Sequence, residues 1–186
     1  RTLPVPDHMD LIQGGTISSA FLTMHDAIVT NGEFKSGQSI LIQGGSTGVG
    51  IMGMQFGEHL GASLVIGTST NPERRARLAE FGADLALDSS DPGWVDQVLE
   101  ATDGKGVDLI IDQISGYAAN QNMAATKVHG RIINVGRLGG EVAEFDFNTH
   151  AERRLTYIGT TGRTRSLEEH AEVFRRARAD LWDALD

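Results

Sequence analysis

The chain has 186 residues, close to the size of a single domain, and 40% of them are hydrophobic, which is enough for a core. It carries 25 Asp and Glu against 16 Lys and Arg, and the net charge of −9 disfavours nucleic acid as its main partner. Cysteine is absent, which excludes disulfides and cysteine-ligated metal within these residues and suits a cytoplasmic location. No apolar run has the roughly 18 residues that a membrane span needs, and residues 1–4 lack the layout of a signal peptide.

The predicted elements alternate between helices and strands. Residues 1–36 are predicted as a helical lead-in, because apolar residues recur at helical spacing from Ile17 to Ile28, with Thr16 as the N-cap. Short apolar runs predict strands at 39–43, 63–67, 84–87, 107–111, 130–135 and 155–160. Helices are predicted between them, ending near residue 60 and then over 72–81, 94–103 and 117–126, with a last helix capped by Ser166. This alternation is typical of a doubly wound parallel sheet, a Rossmann fold of three α/β/α layers in one domain.

A glycine-rich turn joins the first predicted strand to the next helix. It reads Gly44-Gly45-Ser46-Thr47-Gly48-Val49-Gly50. In a dinucleotide-binding fold such a turn must reverse tightly, approach a pyrophosphate closely and pack its helix near the sheet. Each of these requirements favours glycine, which has no side chain, and the free N–H groups at the helix start then face the anion. The turn therefore predicts a dinucleotide site at the start of this helix.

The same residues fit a second enzyme class. Gly44 to Gly48 also spell G-x-S-x-G, the nucleophile elbow of α/β-hydrolases. In that alternative Ser46 is the nucleophile, and Asp112 with either His129 or His150 completes the triad. An elbow needs no glycine at position 50, and His129 precedes a predicted strand rather than following the last one. The hydrolase is therefore the less favoured interpretation.

The end of the second predicted strand indicates which nicotinamide coenzyme binds. NAD-binding folds place an acid about 20 residues after the glycines, where it accepts the ribose hydroxyls. Residues 67–71 contain no acid, and an acid would repel a 2′-phosphate. Ser69 and Thr70 offer hydroxyl donors. Arg74 offers a cation in the first turn of the next helix, where it opposes the helix dipole unless an anion is bound. We therefore expect NADP(H) rather than NAD(H).

Several segments resemble a zinc-independent medium-chain dehydrogenase/reductase of the NADPH:quinone oxidoreductase type, and the resemblance covers nearly the whole chain. They are residues 20–23, 35–42, 44–50, 67–68, 82–84, 106–112 and 130–136. The resemblance implies the cofactor-binding domain of an oxidoreductase that transfers a hydride from NADPH to a quinone or to the C=C bond of an enone. Hydride transfer depends mainly on positioning, and no residue is assigned as catalytic.

The resemblance also implies contacts to the phosphates of the cofactor. Gly48 and Val49 match the family's pyrophosphate contacts, and Thr47 beside them replaces a glycine often found in this loop. Arg74 falls where relatives carry a Lys or Arg for the 2′-phosphate. Asp88 falls where many relatives carry a Tyr beside the adenine, so stacking on the adenine is not expected there.

At the nicotinamide end the resemblance implies three further residues and no metal. Thr23 matches the family's threonine near the nicotinamide, and Val135 and Gly136 match the stretch that backs the ring. Zinc-using cousins place a cysteine ligand four residues before the equivalent of Thr23. Ser19 occupies that position here, so we expect no metal site.

Relatives carry an N-terminal β-rich domain that forms much of the substrate pocket, and we expect this chain, which does not begin with Met, to be a fragment without it. The partner is then a small molecule that the chain alone does not name, and a non-catalytic nucleotide-binding module is the alternative.

Residues 154–160 form the last predicted strand, without Pro or an inward charge. The resemblance implies that two copies pair antiparallel along this strand into a homodimer, and Ile158→Pro is expected to give monomers.

Overall fold

The computed structural model describes Val5 and residues 7–185, and the expectation for residues 1–4 lies outside this part of the chain. The strands are β1 (Ser39–Gln43), β2 (Leu64–Thr68), β3 (Leu85–Leu87), β4 (Val107–Asp112), β5 (Thr126–Asn134) and β6 (Thr156–Gly159). They form one sheet in the order β3-β2-β1-β4-β5-β6, and every neighbouring pair is parallel. The strand order reverses at β1, so a crevice opens where the loops after β1 and β4 diverge.

Helices cover both faces of this sheet. In the described residues the α-helices are α1 (Leu11–His25), α2 (Gly48–His59), α3 (Pro72–Arg75), α4 (Trp94–Ala101), α5 (Ala119–Ala125), α6 (Phe147–Arg153) and α7 (Leu167–Leu181). A π-helical turn, Asp26–Asn31, extends α1, and 3-10 turns lie at Leu78–Phe81, Gly116–Ala118 and Trp182–Leu185. None of the helices described is both long and apolar enough to cross a bilayer.

The core divides into two buried clusters, one on each face of the sheet. Successive side chains of a strand point to opposite faces, so Ile40 and Ile42 pack with α1, α2 and α7, while Leu41 packs with α4 and α5. Phe21 of α1 meets Phe56 of α2 edge to face, with ring centroids 5.4 Å apart. The prediction of a Rossmann fold with three α/β/α layers is confirmed.

Some boundaries differ from the sequence prediction, and at α1 and α6 a side-chain cap, which hydrophobic spacing does not reveal, sets the start of the helix. α1 begins at Leu11, since Asp10 Oδ1 accepts the N–H of Ile12 at 2.8 Å, and Thr16 therefore lies inside the helix and is not its N-cap. The helix predicted over 72–81 breaks after Arg75 into a separate 3-10 turn. α6 was not predicted, and its N-cap is Asp146.

The start of β5 also differs. This strand begins at Thr126, four residues earlier than predicted, and the helix predicted over 117–126 ends at Ala125. The pairing of β5 with β4 shifts register between Val107 and Leu109. His129 adopts a φ of 65° in this irregular stretch. The apolar spacing predicted only the regular part of the strand, from Gly130 onwards.

β6 lies at one edge of the sheet, as predicted, and its outward-facing N–H groups can be identified. The N–H of Thr160 donates to the carbonyl oxygen of Asn134, which ends β5, at 2.9 Å. Alternate residues of a strand present their backbone groups to the same neighbour, so the N–H of Ile158 also points to β5. The expectation for Ile158→Pro is therefore wrong, because it would break the ladder within the sheet. The N–H groups of Tyr157 and Gly159 face the open edge.

Candidate functional site

The glycines of the loop after β1 have different structural roles. Gly44 has a φ of +81°, which favours glycine. A Cβ on Gly50 would lie 2.4 Å from the carbonyl oxygen of Gly44, and one on Gly45 would lie 3.2 Å from the Cα of Gly67 in β2. A Cβ on Gly48, in contrast, would meet no atom of the described structure within 4 Å. Gly48 therefore leaves open space at the start of α2, where a ligand can approach the backbone.

Thr47 caps α2. Its Oγ1 accepts the N–H of Gly50 at 2.9 Å, and its hydroxyl lies 2.8 Å from Oε1 of Gln113 and 3.0 Å from the carbonyl oxygen of Gly44. Gly48 and Val49 are the first two residues of the helix, and their N–H groups have no acceptor within it. These N–H groups, with the positive end of the helix dipole, favour an anion at this point.

A buried polar network holds the loop in place. Oγ1 of Thr68, the last residue of β2, accepts the N–H of Gly44 at 3.0 Å and donates to Oε1 of Gln43 at 2.6 Å. Nε2 of Gln43 donates to Asn122 in α5 at 2.8 Å. Nε2 of Gln113 donates to the carbonyl oxygen of Gln43 at 3.1 Å. Because these hydrogen bonds are buried or partly buried, they hold the loop before any ligand binds.

The hydroxyl and basic residues predicted for a 2′-phosphate lie near one another at the end of β2. Oγ of Ser69 lies 2.9 Å from Oγ of Ser46 in the glycine loop, and Thr70 is exposed beside it. The N-cap Asn71 accepts the N–H of Arg74 at 2.9 Å, so the predicted start of α3 is confirmed. Ser46 and Arg74 line a common cavity of about 300 Å³.

Sequence reasoning missed an ion pair at the same strand ends. NH1 of Arg75 donates to the carbonyl oxygen of Ser69 and to Oδ2 of Asp88, each at 2.8 Å. Asp88 follows β3, and the N–H of Ser69 donates to Leu87 at 3.0 Å. The order of strands in the sheet, which local sequence does not reveal, brings these residues together. The only signal available was that both Ser69 and Asp88 follow predicted strands.

Two of the three residues matched to the nicotinamide end line a second cavity, and the third, Gly136, does not. Thr23 in α1 and Val135 after β5 both line a space of about 910 Å³. Thr160 and Thr161, which follow β6, also line it and were not singled out in the sequence. Their position after a parallel strand was the signal that could have found them. Another wall holds the ion pair between Asp26 and Arg165, with 2.6 Å between Oδ2 and NH2.

Gly136 is positioned through a buried carboxylate. Oδ1 of Asp112 accepts the N–H groups of Ile114 and Ser115, each at 2.8 Å, and burial raises the pKa of its carboxyl. Ser115, held at a φ of 56°, donates its hydroxyl to the carbonyl oxygen of Gly136 at 2.7 Å. The hydroxyl of Tyr157 lies 3.5 Å from Oδ2 of Asp112. Burial and this carboxylate raise the pKa of Tyr157 to about 12.

The hydrolase triad is not assembled. Ser46 hydrogen-bonds to Ser69 instead of a histidine, and Asp112 is occupied by backbone N–H groups. His129 lines a small cavity with Asp108 at the amino ends of the strands, opposite the edge where Ser46 lies. His150, in α6, lies against the ring of Phe145 with centroids 5.4 Å apart, and no hydrogen bond joins it to Ser46 or Asp112 in the part of the chain that the structure describes. The alternative in which Ser46 is a nucleophile is therefore wrong.

Metal ligands are not gathered anywhere in Val5 and residues 7–185, where no three side chains of His, Cys, Asp or Glu are placed to hold an ion. Ser19, at the position of the cysteine ligand of zinc-using cousins, lines the cavity with Thr23. Independence from zinc stays a prediction.

Known proteins resemble this chain over most of its length. The pattern of the family described as zinc-binding dehydrogenase matches residues 48–178. The quinone oxidoreductase of Pongo abelii is 26% identical over 177 residues, which are 95% of this chain and 53% of that protein. A highly reducing polyketide synthase of Emericella nidulans is 26% identical over 156 residues, 83% of this chain but 6% of the synthase.

Solved structures of oxidoreductases are also similar to this chain over nearly its whole length. A probable oxidoreductase from Mycobacterium abscessus is 26% identical and superposes with a TM-score of 0.84 over 98% of this chain and 54% of that one. Mycobacterial Rv1454c complexed with NADPH is 26% identical, with a TM-score of 0.82 over 97% of this chain and 55% of that one. The chain thus spans about half the length of the oxidoreductases it matches. It belongs to the zinc-binding dehydrogenase family and is the cofactor-binding domain of a quinone oxidoreductase-like medium-chain dehydrogenase/reductase.

Proposed function

We propose that this chain binds NADP(H) for an oxidoreductase that transfers a hydride to a quinone or to the C=C bond of an enone. One observation carries the proposal. The capped start of α2, with open space at Gly48, lies beside two hydroxyls and an arginine at the end of β2, where an NAD site would carry an acid. Bound NADPH would supply the hydride, and the protein would supply binding and orientation.

Each predicted site residue has a distinct role in this proposal. The N–H groups of Gly48 and Val49 bind the pyrophosphate, and Thr47 orients them through its bond to Gly50. Ser69, Thr70 and Arg74 would bind the 2′-phosphate; the assignment of these residues is a proposal.

The other end of the cofactor would lie along the cavity shared by Thr23 and Val135. Gly136, the next residue after Val135, is held by the hydroxyl of Ser115, which donates to its carbonyl oxygen. In the proposal, the backbone at Val135 and Gly136 lies behind the nicotinamide ring, and this hydrogen bond fixes its position. Hydride transfer requires such fixed positioning. No side chain is assigned to protonate the product.

The relatives support an oxidoreductase that uses NADPH. Two of them are a quinone oxidoreductase and a mycobacterial protein complexed with NADPH. Because the chain spans about half of such proteins, the activity, the substrate and the separate substrate domain are part of the proposal. A cytoplasmic location and the absence of a nucleic-acid partner also stay predictions.

Calorimetry with NADPH and NADH tests the coenzyme assignment. A charge-assisted contact to phosphate contributes about 1.5–3 kcal/mol. Arg74→Ala should therefore weaken NADPH binding about 10- to 100-fold and leave NADH nearly unchanged. Arg175→Ala is a matched control, because Arg175 is an exposed arginine on α7 whose partner is Glu172. Equal losses for both coenzymes on Arg74→Ala would contradict the assignment.

Turnover distinguishes an enzyme from a non-catalytic nucleotide-binding module. The full gene product should oxidise NADPH in the presence of a quinone or an enone. Binding of NADPH without turnover over a broad panel of both acceptors would favour the module.

We also propose that two copies form a homodimer through strand 154–160. β6 lies at the edge of the sheet, and the outward N–H groups of Tyr157 and Gly159 are positioned to pair with a second copy. A contact around a two-fold axis is self-complementary, so one strand suffices for both sides.

A further inference from the structure

Arg75 is a second cation beside the proposed 2′-phosphate site, and a carboxylate already binds it. NH1 of Arg75 lies 2.8 Å from the carbonyl oxygen of Ser69. The guanidinium therefore contacts one of the residues proposed to bind the 2′-phosphate. The same NH1 lies 2.8 Å from Oδ2 of Asp88. The two side chains are 25% and 30% exposed, so a ligand in solution can reach this pair.

The guanidinium retains unused donors. A guanidinium has five N–H groups, and NH1 provides both of the bonds to Ser69 and Asp88. In Val5 and residues 7–185, no hydrogen bond from Nε or NH2 of Arg75 is present. The guanidinium of Arg75 is therefore held in a fixed orientation, and its remaining N–H groups are free to donate to a phosphate oxygen.

The carboxylate is itself held in place and charged. Oδ1 of Asp88 accepts the N–H of Ser90 at 2.9 Å and its hydroxyl at 2.5 Å. These bonds lower the pKa of Asp88, with a smaller effect from Arg75. Asp88 is therefore ionised at neutral pH, and its pair with Arg75 has no net charge.

Resting on the proposed NADP(H) function, we propose that Asp88 is a specificity-determining residue that masks Arg75 and so limits the preference for NADP(H) over NAD(H). A phosphate dianion gains little from a neutral pair but is attracted by an uncompensated guanidinium. The carboxylate also repels the 2′-phosphate directly. NAD(H) carries no phosphate there, so the pair should matter little to its binding.

Asp88→Asn tests this by removing the charge while keeping an oxygen for Ser90. NADPH affinity, measured by calorimetry on this chain, should rise about three- to tenfold, the range for a partly exposed charge at several ångströms. NADH affinity should change less than twofold. The gain should shrink in high salt, because screening weakens exposed charges.

Two further variants make the result specific. In the double variant Asp88→Asn with Arg75→Gln, the gain in NADPH affinity should disappear. Glu33→Gln is the matched control. Glu33 pairs with Arg131 at 2.5 Å near the amino ends of the strands, far from the loops that follow their carboxyl ends. The substitution therefore removes one negative charge from another carboxylate–arginine pair, away from the proposed site. It should leave both affinities unchanged.

The possible failures are distinguishable. If the unmodified chain prefers NADPH and loses that preference in Arg74→Ala, but Asp88→Asn leaves the ratio of the two affinities unchanged, masking is refuted and the proposed function stands. If Asp88→Asn strengthens both coenzymes equally, or if the double variant keeps the gain, masking is also refuted. If the unmodified chain binds neither coenzyme, both proposals are overturned.

Discussion

Thr47 offers the sharpest test of how the glycine loop is built. Thr47→Val keeps the shape of the side chain but removes its hydroxyl. That hydroxyl oxygen accepts the N–H of Gly50 at 2.9 Å, and the hydroxyl lies 2.8 Å from Oε1 of Gln113. The backbone of Thr47 is extended, with φ −82° and ψ 159°, so valine fits the conformation without strain. The substitution therefore isolates the hydrogen bonds.

The expected loss of stability has two parts. Removing the N-cap of α2 costs about 0.5–2 kcal/mol. Leaving the buried amide oxygen of Gln113 without a donor costs about 1–3 kcal/mol. The sum is about 1.5–5 kcal/mol, which for a domain of this size lowers the Tm by about 3–20 °C. Both coenzymes should also bind more weakly by the same factor, because the cap orients the N–H groups that are proposed to bind the pyrophosphate common to both.

Urea unfolding followed by circular dichroism, together with calorimetry, measures both effects. Thr47→Ser is the matched control, since serine is as good a cap as threonine, and it should stay within about 1 kcal/mol of the unmodified chain. If Thr47→Val is as stable as Thr47→Ser, the hydroxyl is not what holds the loop. A loss confined to NADPH would show that Thr47 acts at the 2′-phosphate instead.

Two more substitutions test the ends of β4 and β6. Burial raises the pKa of Asp112, so its contribution to stability is present at low pH and is lost as pH rises above the ordinary value of 3.8 through the folded pKa. Asp112→Asn still accepts the N–H groups of Ile114 and Ser115, so in urea unfolding its free energy of unfolding should no longer fall between about pH 4 and 7. At pH 7 that free energy should lie within about 1 kcal/mol of the value for the unmodified chain. A steeper fall with pH in the variant would contradict this. Gly159→Pro should convert a dimer to a folded monomer in light scattering, with Gly159→Ala as control, because only an outward N–H is removed. Ile158→Pro should instead destabilise the fold, and an unmodified protein that is monomeric at tens of micromolar would refute the dimer.

Most of the fold could be predicted because its determinants are local in sequence. Short apolar runs between turn residues predicted all six strands, since parallel strands are buried on both faces. The caps of α3 and α7 were also readable, because Asn71 stands before a proline and Ser166 stands three residues before Glu169. The missed helix α6 has a polar sequence, and its cap at Asp146 carried no apolar periodicity to support it.

The candidate site was only partly predictable, because much of it is assembled between distant strands. Arg75 and Asp88 are 13 positions apart, and their contact depends on β3 lying beside β2. Thr47 was singled out, but its partner Gln113 lies 66 positions away after β4. Local patterns give residue types and spacing, whereas the sheet order decides which strand ends meet.

The glycine motif shows why long-range partners decide function. Gly44 to Gly48 fit both a dinucleotide loop and a nucleophile elbow, and no residue inside the motif separates the two. What excludes the hydrolase is the neighbour of Ser46 at the end of β2, because the hydroxyl of Ser46 lies 2.9 Å from that of Ser69. Ser46 and the exposed Arg74 border one cavity, and the hydroxyl of Ser69 lies beside that of Ser46, an arrangement that suits an anion, whereas a nucleophile needs a base within hydrogen-bonding distance. The end of β2, rather than the motif itself, therefore supports the proposal that the loop binds a nucleotide.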